Sequence, residues 1–195
     1  MKTLVFLLSM FLFSGPLFAQ NFAQKLVQAA AGQIGVTTVY NPAYVRLSYP
    51  KGDVARHKGV CTDVVIRALR DAADLDLQVL VHQDMKANFA RYPRNWGLKR
   101  TDRNIDHRRV PNLRRYFERK GFDLPVTTNK LDYAPGDIVS WNLPGNLTHI
   151  GIVSDMVAAD GTPLIIHNIG QGTQQENILF AFEITGHYRL PGAGG

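Results

Sequence analysis

Residues 135–168 read PGDIVSWNLPGNLTHIGIVSDMVAADGTPLIIHN, and this stretch decides the fold. Pro135-Gly136-Asp137, Pro144-Gly145-Asn146 and Asp160-Gly161 are turn signals. The runs between and after them, Ile138 to Trp141, His149 to Ser154 and Leu164 to Asn168, are short, apolar and β-branched. They read as successive antiparallel strands, with a last strand expected within residues 179–188. Upstream the period changes. Phe22, Leu26, Val27, Ala30 and Ile34 recur at helical spacing, so residues 21–32 read as an amphipathic helix. Residues 35–60, with glycine, proline and three tyrosines, read as a loop. A second helix starts at Cys61, with Val64, Val65, Ala68, Leu69 and Ala72 as its apolar stripe. A third covers about 77–89, and Pro111 opens a short one ending at Gly121. Helices first and an antiparallel sheet afterwards define an α+β chain.

The composition is that of a globular protein: 195 residues, 45% apolar and 19% charged, which excludes a disordered chain. Lys2, the apolar run from Leu4 to Phe13, Gly15-Pro16 and Leu17-Phe18-Ala19 form the three regions of a secretory signal peptide. Residues 1–19 are therefore expected to be cleaved, leaving one domain over 20–195 that is periplasmic or secreted. The run is too short to span a bilayer, and no later segment is apolar enough to do so.

Export gives the single cysteine its weight. One unpaired thiol in an oxidising compartment is a liability unless buried or used. Cys61 stands at a helix start, where unpaired backbone N–H groups and the helix dipole favour a thiolate. Asp63, in the same turn, caps the helix but opposes that charge. His149 opens one strand and His167 closes the next. If Val153 pairs with Pro163 across the turn, His149 falls opposite His167, with side chains about 5 Å apart. Gly151 shares their face, and its missing side chain leaves room for a helix to approach. Cysteine with a histidine base and a third polar group orienting the imidazole is the layout of cysteine hydrolases. His57, His82, His107 and His187 read as ordinary surface or core residues. Two histidines with no third ligand at suitable spacing make a metal site unfavoured, and no cofactor is expected.

Pro135-Gly136-Asp137-Ile138-Val139, His149-Ile150-Gly151-Ile152-Val153 and Ile166-His167 resemble the sheet signature of the NlpC-type cell-wall peptidases, a papain-like superfamily. Gln33-Ile34-Gly35-Val36 and Tyr40 look like that family's lead into its nucleophile. The chain departs from the usual Asp-Cys-Ser, reading Val60-Cys61-Thr62-Asp63, and residues 76–120 form a basic helical insertion. It looks most like an exported branch known as a domain of unknown function. The resemblance implies a papain-like fold in which Cys61 attacks a carbonyl, His149 serves as base and then acid, and His167 holds the imidazole tautomer. Asp155 is the runner-up for that orienting role. The Cys61 backbone N–H and Tyr40 would face the oxyanion. The implied activity is cleavage of an amide bond in peptidoglycan peptides. Acyl transfer on the same fold, or a non-catalytic wall-binding module, are the alternatives.

The formal net charge of +6 lies in residues 99–120, where nine basic residues face only Asp102, Asp106 and Glu118. Secretion and the lack of interleaved aromatics argue against nucleic acid as partner. The run is either a solvated helix face or a rim that attracts anionic substrate, with Arg108 and Arg109 clamping a carboxylate.

Overall fold

In the computed structural model, which describes residues 22–192, the elements run α1 (Phe22–Ala31), β1 (Val39–Tyr40), β2 (Lys58–Gly59), α2 (Cys61–Ala73), α3 (Leu77–Ala87), α4 (Val110–Arg119), β3 (Asp123–Leu124), β4 (Ile138–Leu143), β5 (Leu147–Val157), β6 (Pro163–His167), β7 (Gln174–Glu176) and β8 (Glu183–Tyr188). The chain is α+β, with the helices ahead of an antiparallel sheet ordered β3-β8-β4-β5-β6-β7. The expected signal peptide lies outside the described residues. Residues 35–60, expected as loop, contain the two-residue parallel pair β1–β2. β3 and β7 also escaped the sequence reading; both are short and lack an apolar alternation.

Alternation along the strands gives the sheet two apolar faces. Ile138, Ile150, Ile152, Ile166 and Tyr188 pack against Leu26, Val64, Val65 and Leu69 of α1 and α2. Leu77 and Val81 of α3 and Leu113 and Phe117 of α4 belong to that same core, so the basic segment is anchored on buried apolar side chains. Each fully buried side chain of this kind contributes about 1.5–3 kcal/mol. Val139, Trp141, Val153 and Ile165 form the second face, with Tyr133 and Leu179 over them. Asp137 closes the turn before β4. Its buried carboxylate accepts from Ala134 N at 2.8 Å and from Arg189 at 2.6 and 2.8 Å, and lies 2.7 Å from His187 Nε2.

The β5–β6 register differs from the expected one. Val153 pairs with Ile165 and Ile152 with Ile166, while Pro163 pairs with Val157 across an irregularity in β5. The turn is tied by Ala158 N to Thr162 O at 2.8 Å, so β5 continues four residues further than the simple hairpin count allowed. Continuing the ladder sets Gly151, rather than His149, opposite His167. Because the shift is two residues, both histidines stay on one face and become diagonal neighbours. Gly151 also has another use than the expected one. A Cβ there would lie 2.7 Å from Ile165 Cγ2 and 3.0 Å from His167 Cβ, so the glycine makes room for its own sheet neighbours and not for a helix.

Candidate active site

Cys61 is the first residue of α2 and is 6% exposed. Val60 precedes it with extended backbone and no side-chain oxygen, so only half of a capping box forms: Asp63 Oδ2 accepts from Val60 N at 2.7 Å. Backbone hydrogen bonding at Ile150, in β5, reaches the thiol, which places Cys61 against the residue next to His149. Burial pushes the thiol up to about 12, with Asp63 adding to the rise and the backbone contacts at Ile150, Thr62 and Cys61 opposing it. The helix start was expected to favour a thiolate; desolvation outweighs it, and the resting sulfur is a neutral thiol.

His149 and His167 meet directly. His149 Nε2 lies 3.0 Å from His167 Nδ1, with the rings nearly perpendicular at 88°. Trp141 lies beside His149 with ring centroids 5.8 Å apart. Burial, and then the charge of His167, push His149 down to about 3, so the imidazole is neutral near pH 7. His167 is fully buried, and Glu176 Oε2 of β7 lies 3.0 Å from its Nε2, off the line of a well-formed hydrogen bond. Burial lowers the pKa of His167 while Glu176 raises it. A carboxylate can only accept, so Glu176 favours the proton on His167 Nε2. His167 Nδ1 then accepts from His149 Nε2, and His149 Nδ1 carries the free lone pair.

Strand alternation turns Ile150 towards the helices and His149 towards the other face, and among the described residues no hydrogen bond joins the thiol to either imidazole. Catalytic hydrogen bonds in unliganded enzymes are commonly long or misaligned.

Cys61 opens into a cavity of about 190 Å³ whose walls include Tyr40, Trp96, Arg109 and Thr148. Burial raises the Tyr40 phenol, and the Cys61 and Asp63 charges add to that. The two arginines separate in role. Arg108 is engaged by Asp63: its Nε and a terminal nitrogen bind the two Asp63 oxygens at 2.9 and 2.8 Å, with both side chains buried. It therefore fastens the start of α2 while also lining the cavity, and Asp63 is turned to it and to Val60. Arg109 stacks on Trp96 at 4.1 Å and stands 3.4 Å from Asp106, keeping a place on the cavity wall. Asp155 is exposed and takes the Ser154 hydroxyl at 3.3 Å; the contact to His149 comes from His167 instead.

Two residues escaped the sequence reading. Glu176 sits in a polar three-residue strand with no hydrophobic pattern, and Trp96 in a loop. Only the pairing of β7 with β6 brings Glu176 to His167. Among the described residues, no three His, Cys, Asp or Glu side chains are grouped to hold a metal ion.

Taken together, these features define an α+β chain with a buried thiol at a helix start, in contact with β5 at Ile150, and a buried histidine pair carried on β5 and β6. Residues 27–190 match the family described as Domain of unknown function (DUF1287), and the chain belongs to that family. Uncharacterized protein YijF of Escherichia coli (strain K12) is 58% identical over 169 residues, covering 87% of this chain and 82% of that protein. A solved structure titled "Structure of NlpC1 from Trichomonas vaginalis" superposes at a TM-score of 0.45 with 12% identity, covering 89% of this chain and 45% of that one.

Proposed function

We propose that the protein is an exported cysteine hydrolase that cleaves an amide bond in peptidoglycan peptides. The observation carrying this reading is the 3.0 Å contact between two buried histidines, one of them adjacent in sequence to the strand residue that touches the thiol. A buried pair of imidazoles is costly unless it is used or fully satisfied. The Glu176–His167–His149 series leaves the Nδ1 lone pair of His149 as the base. In this reading bound substrate must bring imidazole and thiol together before His149 takes the Cys61 proton as sulfur attacks the substrate carbonyl. The proton then passes to the departing amine as the C–N bond breaks. Water attacks the thioester, giving its proton to His149, and the acid leaves as the thiol is restored. Tyr40 and the Cys61 backbone N–H face the developing oxyanion. Arg109, held on Trp96, suits an acyl portion bearing a free carboxylate, as peptidoglycan peptides do.

Incubation of the mature protein with peptidoglycan fragments, followed by mass analysis, tests the reading. A new amine and acid terminus should form and be absent with Cys61→Ala; the same products from that variant would overturn it. An added amine acceptor separates hydrolysis from acyl transfer. The high thiol pKa favours a second reading, a wall-binding module that kept the site without turnover. Iodoacetamide distinguishes the two: a nucleophile labels quickly near neutral pH once fragments are present, and a relic does not.

A further inference from the structure

The positive charge found in residues 99–120 does not stay on the surface as one patch. Arg108, Arg109, Arg115, Arg119 and Lys120 are all ion-paired, to Asp63, Asp106, Glu118 and Asp84. Arg114 has no carboxylate partner among the described residues; it stands by Tyr188, whose phenol pKa burial raises and the Arg114 charge lowers. Among the described residues, Arg100 and Arg103 have no carboxylate partner, and neither does Arg46, which arrives from the loop after β1. These three arginines line one cavity of about 590 Å³, together with His82 of α3, Tyr44 and Asn104.

The cavity wall is built. Tyr44 donates its hydroxyl to Asp102 Oδ2 at 3.0 Å and accepts from Asn104 Nδ2 at 2.9 Å. Asp102 Oδ1 is taken by Asn104 N at 2.9 Å, so this carboxylate is spent on holding the loop and pairs with none of the three arginines. Arg103 lies over the Tyr49 ring at 5.4 Å, and Tyr49 packs edge-on against His82. Three cations and one anion leave the cavity with two positive charges. Guanidinium groups present planar forks of N–H donors. A tetrahedral dianion, with more acceptor oxygens and twice the charge of a carboxylate, matches three forks and a surplus of two positive charges better than a carboxylate does.

We propose that this cavity is a binding site for a phosphate or diphosphate group, separate from the Cys61 pocket. The site does not depend on the hydrolase reading. Residues 103–104 line one cavity and residues 105, 108 and 109 the other, so one short segment separates the two. A phosphate-bearing molecule held here would reach the Cys61 pocket along that segment. His82 supplies a local reporter. Burial, then Lys86 and Arg103, lower its pKa, and Asp102 raises it. An anion placed among Arg46, Arg100 and Arg103 would offset those cations and shift its titration upwards.

The test is an NMR titration of the mature full chain with inorganic pyrophosphate at low salt, following the His82 imidazole and the backbone amides of residues 44 and 100–104. Parallel arms use inorganic phosphate and phosphatidylglycerol vesicles. The expected result is saturable shifts confined to this cavity, a rise in the His82 pKa, and weaker binding as salt increases. Arg46→Gln and Arg103→Gln should each weaken pyrophosphate by about tenfold, while Lys58→Gln, outside the cavity, should not. Three results overturn the proposal: no saturation, shifts spread over the whole basic surface, or affinity indifferent to both arginine variants. Vesicle binding that pyrophosphate does not displace counts against it too, because it would mark a flat membrane-facing patch.

Discussion

Removing Arg108 tests how α2, the helix headed by Cys61, is fastened. In Arg108→Met the Asp63 carboxylate keeps only the Val60 N–H, and it does so while 2% exposed. The wild-type pair is two-pronged at 2.8 and 2.9 Å and lies out of solvent, so it belongs with buried ion pairs and not with surface ones. Breaking one partner of such a pair costs about 3–5 kcal/mol, because an uncompensated charge stays behind. Replacing both partners by apolar residues is far less costly, so Asp63→Leu combined with Arg108→Met should recover much of that loss. The half capping box would go with it, at about 1 kcal/mol.

The assay is urea unfolding of the mature protein followed by circular dichroism, with the four corners of the double-mutant cycle compared at constant m-value. Arg108→Met should lower the midpoint at unchanged m-value, corresponding to a loss of about 3–5 kcal/mol in unfolding free energy, and the double variant should lie well above the sum of the singles. A single-variant cost below about 1 kcal/mol, with additive singles, would refute the reasoning, since that is the behaviour of a solvated pair.

Glu176→Ala removes the carboxylate that sets the polarity of the histidine series. It should lower kcat by about 10- to 100-fold with little change in KM, as measured on peptidoglycan fragments. Gly151→Ala drives a methyl group to within 2.7 Å of Ile165 Cγ2 and 3.0 Å of His167 Cβ. It should cost about 1–3 kcal/mol in urea unfolding and perturb the His149–His167 contact by NMR. Stability should also fall in mild acid. Burial lowers His149 to about 3 and His107 to about 4, so between those values and about 6.5 the unfolded chain binds protons that the folded chain refuses. Stability is complete above pH 6.5 and is lost as pH drops, by about 2 kcal/mol per imidazole at pH 5. Asp106, raised to about 6 by burial, works in the opposite direction and offsets part of this. Unfolding at pH 7.5 and pH 5 checks the sign; equal stability at both would contradict it.

The four helices and the main strands were legible because their apolar residues follow clean periods of 3.6 and 2. Cys61 and the two histidines stood out for similar local reasons, a helix start and two strand ends. What was not legible depends on side-chain partners distant in sequence. Arg108 read as a free cation because its partner Asp63 is 45 residues away. Glu176 gave no signal because β7 has no apolar alternation, and the irregularity in β5 was invisible in a stretch that scans as a simple hairpin. Parity protected the site from that last error: a two-residue shift leaves both imidazoles on one face, whereas a one-residue shift would have parted them.

The charge distribution makes the same argument from the other direction. Summed over residues 99–120, the cations suggest a broad basic surface. Pair by pair, most of them hold the protein together: Arg108 on α2, and Arg119 and Lys120 on Asp84 of α3. Net charge therefore says little about ligands until the internal pairs are removed from it. Among the described residues, Lys99, Arg100, Arg103 and Arg114 are the cations of 99–120 without a carboxylate partner, and two of them meet Arg46 in one cavity. Arg109 stays paired with Asp106 yet lines the thiol pocket through its stacking on Trp96. If charge alone governed ligand binding, neutralising any cation of this run would have the same effect. The pairing requires instead that Arg103→Gln weakens anion binding without loss of stability, while Arg108→Met destabilises the fold and leaves the cavity's preference for anions intact.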